Sequence, residues 1–189
     1  MNIETKSSSQ TRNTLIASAV SALLCGVFLV DSLIFWFPGA VFGFLYAIAN
    51  FHKKLEIGIY TILSGIIYIG AVLIFFRAAG NDLNNYLIGG FLAGAFGALT
   101  LAAMTRSMSQ PPLGSSVDIR STLIGGIAGI VFVQLLQFSF VKSFDDVNLV
   151  QLINPMAFAI WQIPVAWSLT ISTRPSSSGL DGVSKNVHS

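Results

Sequence analysis

The chain has 189 residues, of which 53% are hydrophobic and only 10% charged, with a formal net charge of +2 and a mean hydropathy of +0.74. A soluble domain usually carries about 25% charged residues, so this composition excludes a water-clothed globule and makes a lipid bilayer the expected surroundings. The small net charge, without any stretch that interleaves dense Lys and Arg with aromatics, excludes nucleic acid as an expected partner, and the single cysteine, Cys25, excludes an internal disulfide or a cysteine-based metal cluster.

Residues 1–12 are polar and Ser-rich and cannot repay the entropy of ordering, so they are expected to form a disordered cytoplasmic tail. Lys6 and Arg12 followed by an apolar run from Thr14 to Val30 imitate the start of a secretory signal. The run is long for a signal core, however, and Asp31-Ser32-Leu33-Ile34-Phe35-Trp36 lacks the small-x-small pattern of a cleavage site, so a retained span is expected. Six apolar runs follow one another at 14–30, 33–51, 55–76, 86–104, 119–141 and 149–172. Each is roughly 17 to 24 residues, which at 1.5 Å per residue matches a hydrocarbon core about 30 Å thick. Helices are expected because unpaired backbone groups are costly in lipid and the runs lack the alternation of barrel strands. The predicted fold is therefore an all-α integral membrane protein, a polytopic bundle of six transmembrane helices over 13–172, with a second disordered cytoplasmic tail over 173–189.

Orientation comes from the basic residues. Threaded through six spans, Lys6, Arg12, Lys53, Lys54, Arg106, Arg120, Arg174 and Lys185 share one side while only Arg77 and Lys142 lie on the other, so that both termini are expected in the cytoplasm of a multi-pass cell-membrane protein. Reading 14–51 as one crossing would reduce this 8 against 2 split to 6 against 4, hence two crossings with a tight turn at Asp31-Ser32. The longest connection, 104–119, carries Pro111-Pro112 and Gly114 and reads as an irregular linker within one domain.

Apolar side chains gain little by leaving lipid for protein, so the helices must hold together by close packing and interhelical hydrogen bonds. Ser18, Ala22 and Gly26, then Gly39 and Gly43, then Gly90, Gly94 and Gly97, then Gly125 and Gly129 repeat small residues at three- or four-residue spacing and predict one smooth stripe on each of those helices.

Polar side chains within spans are costly and so mark candidate sites. Asp31 ends the first span, Gln134 and Gln137 lie in the fifth, and Gln151, Asn154 and Gln162 lie in the sixth. At 100° per residue Gln137 shares the sector of Gly126 and Gly129 and should face other helices. The same reckoning does not place Gln134. On the sixth span Asn154, Phe158, Trp161, Val165 and Ser168 cover one sector, flanked by Gln151 and Gln162, a face able to hydrogen-bond and stack on a small polar solute. Pro155 and Pro164 free the carbonyls of Gln151 and Ile160. Asp31, Gln134, Gln137, Asn154, Trp161 and Gln162 are therefore the expected ligand-binding residues, in a pocket opening outward between spans 1, 5 and 6.

Catalytic equipment is not legible. His52 and His188 are the only histidines, one in a short turn beside Lys53 and Lys54 and one near the carboxyl end, and neither can activate Ser64 within a span. No paired carboxylates, HExxH or phosphate loop occurs, and neither a metal nor a cofactor is expected. The sequence thus points to a non-enzymatic membrane protein, a solute transporter or the solute-binding subunit of one; the alternative is a structural or assembly subunit of a larger membrane complex. Its expected partners are the lipid bilayer, a small polar solute and other membrane subunits.

Overall fold

In the computed structural model, which describes residues 3–28, 36–80, 83–108, 116–142 and 147–171, the chain forms six α-helices and no strand among those residues. They are α1 (Ile3–Phe28), α2 (Phe37–Asn50), α3 (Lys54–Ala79), α4 (Leu83–Met108), α5 (Ser116–Lys142) and α6 (Val147–Ile171). The number and order match the six apolar runs. Several helices overrun the predicted spans, because a helix need not stop where its apolar stretch does. The largest overrun is in α1, which begins at Ile3, within the segment expected to be a disordered tail. The Gln10 amide donates to Asn50 Oδ1 at 3.3 Å, and Asn50 Nδ2 donates to Thr14 Oγ1 at 3.0 Å and to the Tyr46 carbonyl at 2.8 Å, so the early turns of α1 have partners on α2.

Each helix packs antiparallel against the next. Thr14 meets Asn50 while Cys25 meets Pro38; Tyr60 meets Thr105 while the missing side chain of Gly89 faces Phe75; Arg106 meets Asp118 while Gly90 faces Gly129; and Ser121 meets Ser168 while Phe132 meets Phe158. Because α6 also packs along α1, the six helices close into a ring, and α6 leans far enough inward to touch α4 across it. An even number of antiparallel neighbours puts the start of α1 and the end of α6 at the same end of the ring.

Side chains fill the middle. Phe42 and Tyr46 from α2, Tyr60 from α3, Leu101 from α4, and Val165 and Leu169 from α6 form one buried cluster, while Ala22 and Cys25 from α1 and Phe158 from α6 form a second. The outer surface is rich in exposed Leu, Ile, Val and Phe, including Leu73 at 64% and Ile127 at 60%, the distribution expected of helices that meet hydrocarbon rather than water. α3, residues 85–108 of α4 and residues 118–138 of α5 are each long and apolar enough to cross a membrane, and α2 is a shorter apolar helix. α1 carries the most Ser, Thr, Asn and Gln of the six helices, and α6 packs along it in the ring.

The stripes of small residues lie where helices approach closely. A Cβ added at Gly94 would run into the Gly125 carbonyl, and one at Gly129 into the Gly90 carbonyl, so α4 and α5 touch backbone to backbone. Gly39 and Gly43 likewise accept Ser64 and its neighbours from α3, and Gly26 accepts Pro155 from α6. α6 continues as helix through both Pro155 and Pro164.

Candidate functional site: the polar seam between α1 and α6

On α1, Ser18, Ser21, Ala22, Cys25 and Gly26 recur at helical spacing and are buried, forming a face of small side chains. Their size lets α6 come close, and α6 answers with its longest buried polar side chain. Gln162, 1% exposed, donates from Nε2 to Cys25 Sγ at 3.7 Å. The Cys25 thiol donates to the Pro38 carbonyl of α2 at 3.7 Å and lies 3.9 Å from Ser21 Oγ. Gln162 Oε1 is buried with no hydrogen-bond partner among the described residues. A buried carbonyl oxygen in that position costs about 1 to 3 kcal/mol in lost hydration, so the seam holds an acceptor suited to one N–H or O–H donor.

The cluster is built of uncharged groups. Its groups are a thiol, a hydroxyl, an amide and a backbone carbonyl, and no charged side chain among the described residues forms an ion pair or hydrogen bond with them. Without a nearby base the thiol is a weak nucleophile. Among the described residues no group of three or more His, Cys, Asp or Glu could hold a metal ion.

Of the six residues singled out from the sequence, the five that are described do not converge on one point. Asp31, with the turn expected around it, lies outside the described residues. Gln134 is exposed on the outer surface of α5, Gln137 is half-buried on the same helix, and Asn154 is half-buried near the start of α6. Trp161 and Gln162 are consecutive and so point to different flanks of α6. Gln162 meets α1, whereas Trp161 meets α2 and α4: its ring lies edge-on to Phe42 with centroids 6.0 Å apart, and a Cβ at Gly97 would sit 3.1 Å from its indole. Between α5 and α6 side chains meet directly, with Phe132 edge-on to Phe158 at 5.1 Å and Ser121 hydrogen-bonded to Ser168 at 2.9 Å.

Two groups of polar residues had not been singled out. Cys25 and Ser21 belong with Gln162, and the signal was present, because both lie on the helical face that Ser18 and Ala22 predict for close packing. The second group is Tyr60 and Thr105, whose hydroxyls lie 2.9 Å apart, with the Tyr46 ring stacked on Tyr60 at 5.3 Å and Phe51 beside it at 5.2 Å. Aromatic residues 14 positions apart on different helices give no local pattern, so this pairing depends on the ring itself. An apolar groove on the outer surface between α2 and α3, lined by Phe44, Ile48, Gly58 and Ile62 with Lys54 at one end, includes none of the predicted residues.

No protein-family model, no curated protein and no solved structure matches this chain.

Proposed function

We propose that this chain is a six-span membrane protein of the cell membrane, with both termini in the cytoplasm, and that it binds and transfers a small neutral polar solute at the seam between α1 and α6. The observation that carries the site is the buried, unpartnered Gln162 Oε1, whose own amide nitrogen donates to the Cys25 thiol. Supporting the topology are the closed ring of antiparallel helices, the three candidate spans among them, and the one-sided distribution of Lys and Arg.

The solute is assigned by complementarity. An N–H or O–H donor completes the Gln162 acceptor, and the uncharged lining disfavours an ion, whose desolvation would go uncompensated. Pro155 and Pro164 bracket Gln162 on α6 and each removes a backbone hydrogen bond, so α6 is the helix most easily bent. Bending it about the Gly26–Pro155 crossing would open the seam toward one end of the ring or the other.

The test is thermal unfolding of the purified full-length protein against a panel of polyols, sugars, amides and nucleosides, with uptake into proteoliposomes for any that stabilise it. One class should raise the unfolding temperature in the wild type, with about 2.7 kcal/mol of stabilisation at a hundredfold excess over Kd, and Gln162→Leu should abolish that rise while remaining folded. If no solute stabilises the wild type, or if Gln162→Leu responds equally well, the solute-binding role fails. The direct α5–α6 contacts favour a second role, an assembly subunit, in which Gln162→Leu alters stability alone.

A further inference from the structure

α5 is one of the helices long and apolar enough to cross a membrane, and Gln134 lies well inside its apolar length. Along α5 the nearest charged residue is Lys142, about 12 Å away along the axis at 1.5 Å rise per residue. The Gln134 side chain is nevertheless exposed, in line with exposed Ile127, Val131 and Phe138, and no hydrogen bond joins its amide to the described residues. An amide facing hydrocarbon loses its water without replacement, so this surface requires a covering partner that both donates and accepts hydrogen bonds.

We propose that the partner is a second copy of this chain, with α5 packed on α5 across a two-fold axis and the two Gln134 amides hydrogen-bonded to each other. Copies inserted in the same orientation can be related by a two-fold axis along the membrane normal, which brings each residue on the axis opposite its own counterpart at the same depth. An amide is self-complementary, since each Gln134 gives one N–H and receives one at its carbonyl. Ile127, Val131, Gln134 and Phe138 follow one another at spacings of four, three and four, the seam along which two helices interlock at a crossing angle of about 20°. The glycines of α5 are already turned to α4, so this contact leaves the ring intact.

The full-length protein, labelled with a fluorophore and reconstituted into phosphatidylcholine vesicles, would be followed by energy transfer between copies as it is diluted with lipid. The wild type should form a saturable dimer, and Gln134→Leu, which keeps the surface apolar, should weaken it about tenfold. In a Cys25→Ser background, Gln134→Cys should give a disulfide-linked dimer on oxidation, because facing Cβ atoms must approach within about 4.5 Å, while Ile66→Cys on the exposed face of α3 should not. A wild type that stays monomeric at every dilution overturns the proposal. So does Gln134→Leu dimerising like the wild type, or Gln134→Cys linking no faster than Ile66→Cys.

Discussion

The α4–α5 and α1–α6 seams hold the same ring together by opposite means. Between α4 and α5 the contact is backbone on backbone, with Gly90 and Gly94 set against Gly125 and Gly129. Between α1 and α6 a long amide reaches across to a thiol while one of its own atoms is left unsatisfied. Where lipid supplies no hydrophobic drive, close contact gives dispersion energy without polar cost, and a glycine seam is therefore stiff and stable. The polar seam leaves one buried acceptor unsatisfied, at a cost in stability. On the proposed function, rigidity and binding are divided between the two sides of one small bundle.

Three substitutions probe this division. The largest effect is expected from Gly94→Leu, whose side chain would have to occupy the Gly125 carbonyl; loss of about 3 kcal/mol should be seen in denaturant unfolding in detergent, and a loss below about 1 kcal/mol would mean that α4 and α5 can separate freely. On the polar side, Gln162→Leu should be neutral or raise stability by about 1 kcal/mol in the same assay without solute, since it removes an unsatisfied acceptor together with one weak bond to sulfur. A marked loss instead would show that the amide serves structure. The smallest effect belongs to Gly58→Ala: a Cβ there meets nothing within 4 Å, so only helix propensity acts, and stability should rise by less than about 1 kcal/mol.

The helices were readable from the sequence because charges and prolines interrupt the apolar runs, and the stripes of small residues correctly marked the close contacts of Gly26, Gly39, Gly43, Gly94 and Gly129. Facing was harder to read. In water a helix reveals its buried side by amphipathicity, but a helix between protein and lipid is apolar all round, so that guide is lost. The angle to the glycines turned Gln137 toward other helices, where the structure leaves it half-buried, whereas the same angle did not place Gln134, which lies on the outside. Gln162 stood out as a costly amide, yet its partner Cys25, itself in contact with Ser21, lies more than a hundred residues away in the chain and becomes a neighbour only through closure of α6 on α1. The early turns of α1 escaped composition because the contact that Gln10 makes there is with Asn50, a residue of another helix.

Arg106 and Asp118 form an ion pair at 2.6 Å at the feet of α4 and α5, clasping the chain on either side of residues 109–115. With that clasp below and the glycine contact above, the peptide between them contributes little to keeping the two helices adjacent. The consequence is modularity: α1–α4 and α5–α6, made as separate polypeptides, should find each other in the bilayer.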